Sequence, residues 1–423
     1  MIRRSLRVAS ISAGSTSATA AMKTAANVKK RIVDEIKVEA TKKGKLEVMT
    51  EEKVKPSKRA KRVKPELKAS PVDDVGTPSA SPLPSKPKKV SKKDEEKATQ
   101  LNSYLSHIQA RRENTAHSQK LVGAHVSGAN GLENVVFNAA KIGARAFAFF
   151  TRSHRSWSCK PLTQDTITAF HAAMKRFGYA PGDVVPHGSY LLNCGSPDVD
   201  VLQKSREGLL DEVRRCEALG LSLYNFHPGA TKNEITVEEC LDLIAESIEL
   251  TLKQTKGVTI LVENMSNQGC VLLSIVVIHF WFRPRSTIGG PFTHLRGIID
   301  RVSEPHRDRV GVCLDTCHAF AAGWDLRDDE YEKTMAEFDA TVGFKYLKAV
   351  HLNDSQGEVG CHVDRHEKIG RGHVGLKSFR RLMNDPRFNH IPMILETPYV
   401  DDDGYEAEIS LLYSLYDKDI VQS

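Results

Sequence analysis

Residues 119–423 predict an α/β fold, a parallel (β/α)8 TIM barrel, and three observations carry that expectation. Eight short apolar segments recur along this region. Amphipathic stretches with apolar residues at helical spacing separate them, which is the alternation of a parallel sheet wrapped by helices. Six of the eight segments end in His, Asp or Glu, and in such a barrel the carboxyl ends of the strands form the active face. A doubly wound open sheet is the runner-up. No glycine-rich phosphate loop follows the first segment, which counts against it.

Residues 1–118 precede this pattern and read as a disordered basic extension. They carry 27 Lys and Arg against 13 Asp and Glu, whereas 119–423 carry 33 against 40. Lys, Ala, Ser and Pro dominate, aromatic residues are few, and no sustained apolar period is visible. The first 33 residues hold Arg3, Arg4 and Arg7 but no acidic residue, the composition of a mitochondrial presequence. The segment "KPSKRAKRVKPELK" (55–68) is a basic cluster of the kind a nuclear import receptor takes. A nuclear location, with the mitochondrion as a second address, is the expectation. A plain basic linker that adds affinity for DNA is the alternative.

The strand candidates are "LVGAHVS" (121–127), "AFAFFT" (146–151), "DVVPHGS" (183–189) and "LSLYNFHP" (221–228). "VTILVEN" (258–264), "RVGVCLD" (309–315), "YLKAVHLND" (346–354) and "IPMILET" (391–397) complete the set. Between them, residues 162–178 and 200–220 show helical periodicity and end at Gly178 and Gly220, a common helix stop. The longest apolar run, "CVLLSIVVIHFWF" (270–282), is shorter than the ~18–20 residues that span a bilayer. No membrane association is expected.

The chemistry sits at the segment ends: His187, His227, Glu263, Asp315, His351 and Glu396. One such residue alone is more often a core histidine or a helix cap, but six at one topological position point to a shared cation site. His318 follows Asp315 by three residues, and "HVDRHEKIG" (362–370) adds Asp364 and His366. Mixed His, Asp and Glu ligation suits Zn2+ or Mn2+. Nine ligands exceed one ion and fit two or three. The eight cysteines form no C-x-x-C pair, which fits free buried thiols in a reducing compartment. Cys313 and Cys317 flank Asp315 without a second pair to complete a zinc knuckle, so they are expected to pack against the barrel wall.

The segments "GAHVS", "PHGSYLLN", "NFHPGA", "VENMSNQG", "GVCLDTCHAFAAGWDL", "HLNDS", "VDRHEKIGRGHVG" and "ILETP" resemble, in order and spacing, the endonuclease IV family of apurinic/apyrimidinic (AP) endonucleases. The N-terminal extension is similar to that of a eukaryotic, fungal-type member. The resemblance spans about 119–415 and implies a TIM barrel with a trinuclear zinc cluster. It implies a monomeric DNA-repair hydrolase that incises double-stranded DNA 5′ to an abasic site by attack of zinc-activated hydroxide. The products would be a 3′-hydroxyl and a 5′-deoxyribose phosphate, and a 3′-repair phosphodiesterase activity is implied alongside. One zinc would take His187, His227 and the bridging Glu263. A second would share Glu263 and add Asp315, His351 and Glu396, and the third would take His318, Asp364 and His366. The loop "FTRSHRSW" (150–157) resembles a DNA-recognition loop in which Arg155 enters the helix. Tyr190 and Leu191 resemble residues that wedge the minor groove, with ordinary packing as the alternative reading.

One stretch departs from this pattern. Residues 270–286, "CVLLSIVVIHFWFRPRS", interrupt the passage from "NQG" to "TIGGPFTHLRGIID". A translated intron and a genuine insertion are the two explanations. The rival function is a metal-dependent sugar isomerase-like TIM barrel, which would use fewer histidine ligands and no wedge beside His187.

Overall fold

Along each strand, successive side chains point to opposite faces, and that period of two divides the barrel interior from its outer core. The structure, a computed structural model, describes residues 92–269, 286–399 and 404–417. Seven of its strands are β1 (Leu121–His125), β2 (Ala146–Ala148), β3 (Leu223–Phe226), β4 (Thr259–Glu263), β5 (Val310–Asp315), β6 (Leu347–Leu352) and β9 (Pro392–Leu395). They run parallel in one sheet, in the order β2-β1-β9-β6-β5-β4-β3. A short antiparallel ribbon, β7 (Asp354–Ser355) with β8 (His366–Glu367), stands apart from them.

The expected strand over 183–189 is reduced to isolated parallel bridges, yet it closes the barrel between β2 and β3. The Val185 and His187 N–H groups donate to Phe147 and Phe149, and Gly188 donates to Asn225. Pro186 supplies no N–H, which limits a regular ladder here. Its carbonyl still accepts from the Asn225 N–H at 2.9 Å.

Helices cover the outside and are bounded as their sequences require. The helix Gln164–Phe177 begins at Thr163, whose hydroxyl accepts from the Thr166 N–H, and stops at Gly178 with φ 66°. The helix Val199–Ala218 begins at Asp198, and Val237–Leu252 at a Thr236–Glu239 capping box. Outward strand residues such as Tyr224, Phe226, Ile260, Val262, Val312 and Val350 join the helix side chains in one large core. Inward residues make two small clusters, Val185–Leu261–Cys313–Ala349 and Ala146–Ala148–Ile394. Cys313 therefore packs inside the barrel, as expected.

Within the stretch 1–118 read as a disordered extension, the part from residue 92 requires a correction. Lys92–Asn114 forms a 23-residue helix that belongs to the same unit as the barrel, Pro87–Ser423. Leu101, Tyr104, Leu105 and Ile108 are spaced as one helical stripe, with Leu101 and Ile108 buried in the core. Arg112 donates to the Phe177 and Gly178 carbonyls. Arg111 reaches Ser410, and His107 pairs with Glu406 at 3.3 Å. Four apolar residues among charged neighbours make a weak period in sequence but a sufficient seam in space. The two expected addresses, at 1–33 and 55–68, lie outside the described residues, as does the 270–286 departure except for Ser286. Its flanks meet: the Gln268 carbonyl accepts from the Ser286 and Thr287 N–H groups. No helix among the described residues is long and apolar enough to cross a membrane.

Two outcomes follow from this packing. Ile108→Ala should lower unfolding free energy by about 2–4 kcal/mol in urea titrations, and an unchanged midpoint would show that the helix is not docked. Excising 270–285, with Gly269 joined to Ser286, should leave the melting temperature within a few degrees. A collapse of the fold would make that segment integral.

Candidate metal centre

The inward register of six segments ends in one expected ligand each. Two residues beyond the interior Val185, Leu261, Cys313, Ala349 and Ile394 come His187, Glu263, Asp315, His351 and Glu396, and His227 follows the inward Asn225 in the same way. The rule of alternation thus brings six segment ends to one rim. Its first two positions are taken by His125 at the end of β1 and by Phe150 past β2, whose rings lie 4.6 Å apart.

Glu263 is fully buried at the centre. Its Oε2 lies 3.3 Å from His187 Nε2 and 3.5 Å from His227 Nε2, and its Oε1 lies 3.2 Å from Nδ1 of both His318 and His351. Burial alone would raise this carboxyl. The His351, His227 and His187 imidazoles outweigh burial and hold it well below the usual carboxylate range. Glu396 stands 3.2 Å from His351 Nδ1. Asp364 bridges His318 Nε2 at 3.1 Å and His366 Nε2 at 3.3 Å.

All nine expected ligands meet in one region. His318, Asp364 and His366 present donor atoms within 4.8 Å of one another, as the resemblance implies for one ion. The other groupings overlap: His187 joins Glu263, His351 and Glu396, while Asp315 joins Glu263 and His318. A carboxylate has two oxygens and serves two groups at once, so Glu263 and Asp315 need not belong to a single ion. Cys317 also lies near Asp315 and His366. Burial pushes its thiol up to about 12.

Tautomers test whether cations fit. Nδ1 of His187, His318 and His366 faces the carbonyls of Gly188, Asn264 and Glu396 at 2.8, 3.0 and 3.1 Å. A carbonyl only accepts, so each Nδ1 carries the proton and each Nε2 is left with a lone pair in the neutral ring. Those three Nε2 atoms are buried without a hydrogen-bond partner, as are His351 Nε2 and Glu396 Oε1. Against burial, the carboxylates they face raise these rings, His318 well above the usual imidazole range and His366 to about 9, so a positive charge, either a second proton or a bound cation, belongs between each nitrogen and its carboxylate. The donor set fits divalent cations.

Asparagines that sequence reasoning passed over hold the carboxylates. Asn225 Nδ2 donates to Glu263 Oε2 at 2.6 Å, and Asn353 Nδ2 to Asp315 Oδ2 at 2.7 Å. Asn264 accepts from the Asp315 N–H, and Asp315 itself caps the helix Thr316–Ala322 through the His318 N–H. His125 was also missed. Burial, with His187, His351 and His154 nearby, pulls its imidazole down to about 4 against the raising field of Glu396, and its Nε2 has no hydrogen-bond partner. The signal that would have found it is its position, since it ends β1 as the other ligand types end their strands.

The three expected DNA-contacting residues border this rim. Arg155 is exposed, with Nε 3.1 Å from His154 Nε2. Tyr190 is 55% exposed, and its ring lies 5.4 Å from His187 and 5.5 Å from His227. Leu191 is half-buried beside it. Glu212 ties both segments together from beneath: it accepts from the Ser189 N–H and the Tyr224 hydroxyl and lies 3.9 Å from Arg152 Nε. Arg152 in turn donates to the Ser156 and Trp157 carbonyls.

The rim defines a class, a TIM barrel with clustered His, Asp and Glu groups that could hold a metal, and a family profile described as xylose isomerase-like TIM barrel matches residues 136–415. A probable endonuclease 4 of Chlorobium phaeovibrioides is 48% identical over 297 residues, covering 70% of this chain and 99% of that protein. The crystal structure of endonuclease IV from Thermus thermophilus matches with TM-score 0.58 and 28% identity, covering 70% of this chain and 98% of that one. The chain belongs to the endonuclease IV family. A D-tagatose 3-epimerase-like protein, 18% identical with TM-score 0.50 over 71% of this chain and 98% of its own, shares the fold alone.

Burial raises the Glu212 carboxyl to about 7, against the lowering effect of Tyr224, Arg152, Ser189 and His187. The folded state then binds a proton that the unfolded state releases near 4.5, so stability falls as pH rises through this window and is flat above it. Glu212→Gln should abolish that fall, by about 3 kcal/mol at most, in urea titrations at pH 5 and 8. An unchanged slope would show that Glu212 is ionised throughout.

Proposed function

We propose that the chain is a zinc-dependent AP endonuclease of DNA repair. It cleaves the phosphodiester 5′ to an abasic site in duplex DNA and leaves a 3′-hydroxyl and a 5′-deoxyribose phosphate. The observation that carries this reading is the convergence of buried imidazole nitrogens and carboxylates at a rim bordered by exposed Arg155 and Tyr190. Three ions would be held by His187, His227 and Glu263; by Glu263, Asp315, His351 and Glu396; and by His318, Asp364 and His366. Four carboxylates against three divalent ions leave net positive charge, the complement of a phosphodiester reaching its transition state. Bound zinc supplies water acidified towards pKa ~7 and Lewis-acid stabilisation of phosphate oxygens.

The protein's own groups do the rest. Glu263 holds its neighbours in register, and Asn225 fixes which carboxylate oxygen faces His187 and His227. Tyr190 and Leu191 fill the gap left when an abasic nucleotide turns out of the stack, at an unstacking cost of a few kcal/mol. A missing base lowers that cost, which favours abasic sites. The same hydrolysis at blocked 3′ ends would release a 3′-hydroxyl. Support over the sugar-isomerase alternative comes from the five histidines of the expected ligand set and from 48% identity to an endonuclease 4 relative.

Incision of a duplex carrying one tetrahydrofuran residue tests the proposal. Wild-type protein should cut 5′ to the analogue and stop cutting when chelated or when Glu263 is replaced by Ala. An uncut duplex with metal-loaded wild type would reject the reading. Arg155→Ala should lower kcat/KM by roughly tenfold, the value of one charge-assisted contact on the order of 1.5 kcal/mol, with metal content unchanged. Metal loss in that variant would contradict a DNA-contacting role.

A further inference from the structure

Asp354 lies outside the ligand set and is completely buried. Its carboxylate collects five backbone N–H groups. Oδ1 accepts from Ser355 at 2.8 Å and Val374 at 2.9 Å; Oδ2 accepts from Gly370 at 2.9 Å and Gly372 at 3.0 Å; Gly375 reaches both oxygens at 3.3 Å. Four of the five donors come from one loop, 370–375. Successive backbone N–H groups curled around an anion form a nest, and here the anion is the protein's own side chain. A buried carboxylate without such donors would be costly. The loop also depends on this contact, because its amides have been turned inward away from water.

The nest adjoins the centre through the β7–β8 ribbon. Asp354 pairs with Glu367 and Ser355 with His366, so the clamped residue and the ligand His366 lie on facing strands. Two residue pairs are too few to hold a ribbon by themselves. Upstream, the Gln356 N–H donates to the Arg365 carbonyl, and Gly360 and His362 donate to Phe320 and Ala321. Asp364 and His366 thus lie between a docked segment on one side and the Asp354 nest on the other. Gly372 shows how close the approach is: a Cβ there would fall onto the Ser355 carbonyl oxygen and the Asp354 carboxylate.

We propose that Asp354 is the positioning residue of the His318–Asp364–His366 site: by clamping loop 370–375 it holds the ribbon that aims His366 and Asp364, and so sets occupancy of that site alone. The inference deepens the zinc reading above and rests on it for the identity of the ion. The clamp itself is independent of that reading.

The test uses full-length Asp354→Asn, which keeps the side-chain size but replaces one acceptor oxygen with a donor. Amide hydrogen exchange over 370–375 should accelerate at least tenfold, with the barrel strands unchanged. Zinc content should drop by one ion per chain from three. Incision should return at raised free zinc, because affinity at that site falls by ~10–100-fold while the other ligands are intact. Gly372→Ala crowds the nest sterically with the Asp354 side chain itself retained and should produce the same pattern, which serves if Asp354→Asn fails to fold. Folded variants with wild-type exchange in this loop and full zinc content would overturn the proposal. Loss of all three ions together would also overturn it, since the clamp is then not specific to one site. Wild-type protein lacking three ions would refute the zinc reading instead, while the exchange result still decides the clamp.

Discussion

A single buried carboxylate, Glu263, organises the active end of this barrel. It faces four imidazoles within 3.5 Å and takes a short hydrogen bond from Asn225. Removing a carboxylate from water is expensive, and it is tolerated only where cations and donors replace the lost hydration. The converging histidines meet that requirement, and rings at the rim are themselves oriented by the backbone. Carbonyls of Gly188, Asn264 and Glu396 provide this for three of the rim histidines. Charge, tautomer and backbone geometry therefore constrain one another at this rim.

The barrel explains how residues scattered from His187 to Glu396 meet. A short strand with an alternating pattern has a last inward position, and eight such positions make a ring. Interior room is small, which is why residues such as Leu261, Cys313, Ala349 and Ile394 sit below the ligands. The loops then specialise the ring. Residues 356–375 bring Asp364 and His366 over one side, while 150–157 and 189–191 bring Arg155, Tyr190 and Leu191 over the other.

Much of this was legible in the sequence because the ligand types occur at strand ends, where chemistry and position can be read together. Seven of the eight strand candidates form ladders. The eighth, 183–189, holds its place only through bridges, since proline pairing cannot be judged without the neighbouring strand. The helix Lys92–Asn114 escaped because a four-residue stripe within a charged stretch looks like linker until its partners are present. His125 escaped although its position was available. Glu212, Asp354, Asn225, Asn264 and Asn353 were out of reach for a different reason. A buried Asn, Asp or Glu is defined by the N–H, hydroxyl or carboxylate it meets, and the loop amides of 370–375 lie 16 to 21 residues from Asp354.

The claim beneath the whole account is that nine side chains from distant segments cage several cations at one rim. Anomalous diffraction from crystals of the active protein, recorded on either side of the zinc absorption edge, tests it most directly. The account predicts three edge-dependent peaks enclosed by His187, His227, Glu263, Asp315, His318, His351, Asp364, His366 and Glu396. An active crystal with no such peak there, or with zinc bound only elsewhere on the molecule, would contradict it.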